Sequence, residues 1–311
     1  MSNVKRLINA SKSEINKMGP LELKESIYKS EGRVIMGQHL IFAGPGTVMG
    51  VTNAELLCSF GADMVMLNTI DLDNFENNPG LCGLTIKELK EKCNCPIGVY
   101  LGCPKKGEKR SDEKTLYRLA GMLATKEHIL KAVALGVDFI VLGGNPGSGT
   151  SIEDVIEATK LVKEICGDDI FLFAGKWEDG IEEKVLGDPL AAYDTKDVIK
   201  RLIDAGADCI DLPAPGTRAG ITVDMIRELV EYIHRYKPGT LAMSFLNSSV
   251  ECADEDTIRQ VALLMNKPDV IFMLSGMEGF GGCTWPENIY QLSVSIKGKN
   301  YTWFRMASNS R

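Results

Sequence analysis

Gly206-Ala207-Asp208-Cys209-Ile210 is one of three copies of a short pattern, the others being Gly61-Ala62-Asp63-Met64-Val65 and Gly136-Val137-Asp138-Phe139-Ile140. In each copy a glycine suited to a left-handed helix cap is followed by a short polar turn and then by an apolar strand. The second and third copies continue alike, through Asn145-Pro146-Gly147-Ser148-Gly149 and Ala214-Pro215-Gly216-Thr217-Arg218, into helices that open near Ser151 and Thr222. One βα unit is being reused.

Working outward, short apolar runs bounded by Gly, Pro, Asn or Asp predict eight strands: Leu40–Ala43, Met64–Asn68, Ile97–Leu101, Phe139–Leu142, Ile170–Ala174, Cys209–Leu212, Leu241–Phe245 and Val270–Leu274. They are near-continuous rather than alternating, as strands covered on both faces are. Between them, Ser151–Ile165, Lys196–Ala205, Thr222–Tyr236 and Asp254–Met265 repeat apolar residues three and four apart, the helical spacing. Eight βα units in a chain of 311 residues predict a single (β/α)8 TIM barrel, α/β in class, whereas a doubly wound sheet stops at fewer strands. Residues 1–36 read as an N-terminal helical extension, with a helix over Leu21–Ser30, 37–300 as the barrel and 301–311 as a tail. The apolar Tyr301, Trp303 and Phe304 suit a packed tail or a contact within a homo-oligomer.

Composition narrows the function classes. With 44% hydrophobic and 25% charged residues the chain is globular, and a net charge of −7 disfavours nucleic acid. No apolar run approaches the roughly 20 residues of a membrane span, and the first residues lack the apolar middle of a secretory signal, so the expectation is a cytoplasmic protein without membrane contact. The nine cysteines, an odd number with no C-x-x-C pair, read as reduced thiols rather than disulfides or a zinc site.

Barrel chemistry sits at the C-terminal strand ends. That filter discards the three histidines, since His39 precedes the first predicted strand and His128 and His234 lie in helical patterns. It keeps Asn68, Asp71 and Asp73 after the second strand, Cys103 and Lys105 after the third, Asn145 after the fourth, Lys176 after the fifth and Asp211 in the sixth. It also keeps Ser244 and Asn247 at the seventh, and Gly276 and Glu278 after the eighth.

Lys176 and Asp211 each interrupt or end an apolar strand. If the large aliphatics face the helices, Asp211 points into the mouth, and Lys176 from the adjacent strand converges on it. Such a pair suits acid/base work beside a carbonyl, or a Schiff base on the lysine; the bland alternative is a structural ion pair. The loop from Leu274 to Glu287 is glycine-rich: Gly276, Gly279, Gly281 and Gly282 precede Thr284, a candidate helix cap, and Pro286. Backbone amides and a helix start there would cradle a phosphate, with Ser244, Asn247 and Ser248 as further donors.

Several stretches together are familiar: Gly50-Val51-Thr52-Asn53-Ala54-Glu55-Leu56, Phe60-Gly61-Ala62-Asp63-Met64, Gly144-Asn145-Pro146-Gly147, Ala174-Gly175-Lys176, Leu212-Pro213-Ala214-Pro215-Gly216 and Pro286-Glu287-Asn288-Ile289. The chain resembles, over nearly its whole length, a bacterial family of barrel proteins often labelled haloacid-dehalogenase-like hydrolases. The resemblance implies the barrel fold and brings no established reaction. The hydrolase label requires D-x-D-x-[TV] after a strand; Asp71-Leu72-Asp73-Asn74-Phe75 supplies the two aspartates but not the last position, nor a later acidic pair for magnesium.

The expectation is therefore an enzyme acting on a small, anionic, sugar-phosphate-like metabolite, an isomerase, epimerase or aldolase-type lyase, with Lys176, Asp211 and Asp71 as catalytic candidates. Asn68, Asn145, Ser244, Gly276, Glu278, Gly279, Gly281, Gly282 and Thr284 would bind substrate or phosphate. No cofactor is firmly implied. The alternatives are a magnesium-dependent lyase or phosphatase-type hydrolase using Asp71 and Asp73 with Asp211, and a non-catalytic metabolite-binding barrel.

Overall fold

The structure is a computed structural model that describes residues 4–105, 120–144, 149–177, 183–267, 270–276 and 282–308. Eight parallel strands close into a barrel in sequence order: β1 Val34–Leu40, β2 Met64–Asn68, β3 Ile97–Gly102, β4 Phe139–Gly143, β5 Phe171–Ala174, β6 Cys209–Pro213, β7 Leu241–Leu246 and β8 Val270–Leu274. The short α1 (Lys12–Ile15) and α2 (Pro20–Tyr28) precede the barrel. Around it stand α3 Asn53–Ser59, α4 Ile86–Lys92, α5 Lys126–Ala134, α6 Ile152–Cys166, α7 Thr195–Asp204, α8 Val223–Tyr236, α9 Glu255–Met265 and α10 Pro286–Ala307. No helix among the described residues is long and apolar enough to cross a membrane.

Alternation along the strands sorts side chains into two apolar shells. Met36, Met66, Tyr100, Phe139, Phe171, Phe173, Met243, Phe245 and Met273 fill the lumen, while Ile35, Val65, Val99, Ile140, Leu172, Ile210 and Phe272 meet the helices. Gly98 faces the lumen because a Cβ there would collide with the Phe139 ring. Leu23 and Ile27 of α2 join the lumen cluster, so this helix plugs the lower end.

The first strand differs from expectation. It runs over Val34–Leu40, and Ile41–Ala43 form a 3-10 turn after it. A reading based on apolar runs passes over Gly37-Gln38-His39, yet all three are buried in β1, and Gly37 lets Leu57 of α3 pack against the strand. The barrel thus begins at Val34. Near the other end α10 breaks at Gly298 (φ 75°), and its second part folds back so that Thr302 bonds Ser293 at 2.9 Å.

The threefold sequence pattern has a common structural purpose at the lower end. Just before β2, β4 and β6, the aspartate carboxylate accepts the amide N–H of the neighbouring odd strand: Asp63 from Ile35 (3.0 Å), Asp138 from Ile97 (2.8 Å) and Asp208 from Leu172 (3.2 Å). Each aspartate amide donates back to that same residue's carbonyl. Each carboxylate also receives a lysine: Lys297 at 2.6 Å, Lys90 at 2.7 Å and Lys24 at 2.7 Å, respectively. Asp63 takes Arg305 as well, at 3.1 Å, and all three side chains of that cluster have no exposure.

Candidate active site at the barrel mouth

In β6, Ile210 and Leu212 face the helices, so Cys209 and Asp211 face the lumen. Asp211 stands at the upper end of the lumen with no exposure. Its Oδ2 accepts the indole N–H of Trp177 at 2.9 Å, while Oδ1 has no partner among the described residues. Burial pushes its pKa well above the carboxylate range, against a smaller opposing pull from the Trp177 hydrogen bond. Burial therefore favours the neutral form of this carboxyl over the charged one.

Trp177 covers this acid from the end of β5. Its ring stacks on Phe245 (5.3 Å, 22°) and leans on Tyr100 (5.4 Å, 56°). Gly175 is required beneath it, because a Cβ would come within 2.6 Å of the Cβ and carbonyl of Asp211. Gln38 of β1, Asn68 of β2, Asn247 beyond β7 and Ser275 beyond β8 share the inward parity and complete a polar upper layer. Gln38 Oε1 accepts from Ser275 Oγ and the Gly276 amide, both at 2.8 Å; Asn68 Oδ1 accepts the Thr69 amide at 2.7 Å.

Lys176 does not join Asp211. Phe171 and Phe173 occupy the lumen, so Lys176, on the other parity, leaves the strand on the helix side, where its buried Nζ donates to the Thr150 carbonyl at 2.7 Å. The expected lysine–aspartate couple is thus split by the barrel wall. Ser244 is likewise corrected: it shares the outer face with Ala242 and Leu246 and turns away from the mouth.

Asp71 and Asp73 are loop braces. Asp71 accepts the amides of Asp73 (2.9 Å) and Asn74 (3.1 Å), and Asp73 accepts from His128 Nε2 (3.1 Å) and Lys131 (2.9 Å) on α5. Both carboxylates are engaged in these loop contacts, and nothing in the fold supports the haloacid-dehalogenase-like label. Among the described residues no group of three or more His, Cys, Asp or Glu is placed to hold a metal.

The described part of the glycine-rich loop is committed internally. Besides the Gly276 amide, Gln38 takes the Thr284 amide on its carbonyl (3.2 Å), while Thr284 Oγ1 accepts the Gln38 amide (3.0 Å) and donates to the Leu274 carbonyl (2.8 Å). Thr284 is therefore a tie between β1 and β8; the cap of α10 is Trp285. Gly282 takes a positive φ of 70°, and its carbonyl accepts the Leu40 amide. Asn145, Glu278, Gly279 and Gly281 lie outside the described residues.

Two residues of the mouth, Gln38 and Trp177, escape the sequence reading; Gln38 does so because it precedes the predicted first strand, while His39, set aside there, faces away from the lumen. His39 is buried on the outer face near the top of β1, neither ring nitrogen has a partner among the described residues, and burial lowers its pKa to about 3. Trp177 carries a usable signal: a polar-tipped aromatic three positions beyond a strand of lumen-facing phenylalanines.

Fold and mouth together define a closed (β/α)8 barrel with a buried acid in the upper part of its lumen. The chain belongs to the family described as "Domain of unknown function (DUF7916)", whose model matches residues 8–311. No curated protein matches it. Among solved structures, the carboxyl transferase domain from Rhizobium etli pyruvate carboxylase with 3-bromopyruvate is similar at 12% identity and a TM-score of 0.52, covering 98% of this chain and 53% of that one. Inosine 5' monophosphate dehydrogenase from Legionella pneumophila is similar at 13% identity and a TM-score of 0.42, with 78% and 58% covered. The chain thus spans about half the length of the carboxyl transferase domain, and the likeness is one of fold.

Proposed function

We propose that the chain is an enzyme, a lyase or isomerase of a small metabolite, in which Asp211 delivers a proton to a substrate heteroatom and takes it back. The observation that carries this reading is Asp211 itself: a lumen-facing carboxyl at the mouth, fully buried, with one oxygen uncommitted. A carboxyl kept neutral near pH 7 can donate where negative charge develops on the substrate, and a water-poor site strengthens that hydrogen bond. Trp177 orients the acid through Oδ2 and leaves Oδ1 for the substrate. The rest of the upper layer, Gln38, Asn68, Asn247 and Ser275, is uncharged and suits hydroxyl and carbonyl groups.

The test is turnover of a panel of oxo acids, sugar phosphates and amino compounds, read by mass spectrometry for cleaved or rearranged products. Asp211→Asn should abolish turnover of any compound the wild type converts, with the fold unchanged by circular dichroism. Conversion that survives Asp211→Asn, or a panel with no product, overturns the reading.

A further inference from the structure

Each of the three aspartates that open β2, β4 and β6 has a lysine, whereas Asp211 has none among the described residues. Among the described residues no Lys, Arg or His side chain faces the lumen at the mouth; the inward positions are Gln38, Asn68, Tyr100, Gly143, Gly175, Trp177, Asp211, Phe245, Asn247 and Ser275 in their strand registers. Oδ1 has no partner among the described residues, and Trp177, whose indole N–H holds Oδ2, is stacked on Phe245 with Tyr100 tilted against it.

A carboxylate oxygen without a partner is complementary to an organic ammonium group, whose N–H donors reach an oxygen that no described residue engages. An anionic group in the same place would meet a carboxyl with no countercharge. We propose that the substrate presents an amine to Asp211, so that the missing cation of this carboxylate is brought by the ligand.

The proton balance favours the same assignment. A neutral amine entering beside protonated Asp211 takes the carboxyl proton, forming ammonium and carboxylate; the N–H bond forms as the O–H bond breaks, and the net charge of the cavity stays zero. No ion need be carried uncompensated into the buried site. The inference rests on the proposed function only in taking Asp211 as the group that meets the substrate, and names nitrogen as the heteroatom served.

The test uses the full chain carrying Trp285→Phe and Trp303→Phe, which leaves Trp177 as the sole tryptophan of three. Its fluorescence is titrated with benzylamine, alaninamide and ethanolamine, and with their hydroxyl counterparts benzyl alcohol, lactamide and ethylene glycol. Amines are expected to bind at least tenfold more tightly than their counterparts. Asp211→Asn should erase that preference, and Phe245→Leu should weaken amine binding severalfold with the carboxyl in place. Equal binding within each pair, a preference that survives Asp211→Asn, or no response to any probe overturns the inference. Turnover that depends on Asp211 but shows no amine preference leaves the proton-donor reading standing; amine-selective binding without turnover sinks that reading and keeps this one.

Discussion

At the lower end of the barrel Asp63, Asp138 and Asp208 each hold a backbone amide and a lysine; at the mouth Asp211 holds one indole N–H and nothing else among the described residues. The residue type is the same, and Asp208 and Asp211 stand immediately before and in the middle of one strand, β6. What differs is whether the fold supplies the countercharge. Where it does, the carboxylate knits an even strand to the odd strand before it; where it does not, burial favours the neutral acid, and one of its oxygens has no partner among the described residues.

The largest expected effect tests the paired end. Asp63→Ala leaves Lys297 and Arg305 buried without their carboxylate, and breaking such a cluster costs about 3–5 kcal/mol. Urea unfolding that shows a loss below about 1 kcal/mol would break the comparison at its root.

At the mouth the sign reverses. The folded-state pKa of Asp211 is raised, so its contribution is fully present below the ordinary carboxyl pKa and is lost as pH rises through the folded value. Asp211→Asn keeps an acceptor for the Trp177 indole and removes the titration. The variant should melt above the wild type at pH 8, by about 2–4 °C for each kcal/mol relieved, with the gap shrinking towards pH 4. A lower melting point for the variant at pH 8 would show Asp211 to be stabilising in its ionised form.

His39 gives an intermediate effect on the acid side. Its folded pKa is depressed to about 3, so stability is whole above about 6.5 and falls on acidification towards that value. His39→Leu should flatten the stability–pH slope there by one proton, about 1.4 kcal/mol per pH unit, measured by urea midpoints from pH 6.5 to 4.

The smallest effect belongs to Lys24→Met, which removes the cation from Asp208. Both partners keep some solvent contact, at 24% and 14% exposure, and a cost of about 1 kcal/mol or less is expected. A loss as large as that of Asp63→Ala would mean that burial does not grade these pairs.

The fold was legible because seven strands are plain apolar runs and the Gly-x-Asp pattern repeats at strand starts. The first strand was not, because its upper half is polar in sequence and buried only through packing by α3 and the 282–284 segment. The site was half legible, for one physical reason. The rule that large apolar side chains face the helices holds in β6, where Ile210 and Leu212 point outward and leave Asp211 inside. It fails in β5, where the lumen is wide enough to take Phe171 and Phe173, so the same parity argument sends Lys176 outside and Trp177 in. Glycine density after β8 was visible as well, but not that Gln38 occupies the amides of Gly276 and Thr284.

The cluster around Asp63 also fixes an order of events. Its cations arrive 234 and 242 residues later in the chain, and Arg305 additionally holds the carbonyls of Leu7, Ala10 and Asn94. During synthesis the start of β2 leaves the ribosome carrying a carboxylate whose neutralising partners do not yet exist. The lower rim is therefore completed only after Lys297 and Arg305 have emerged, so a nascent chain stalled before them should be far more open to protease than one stalled beyond them.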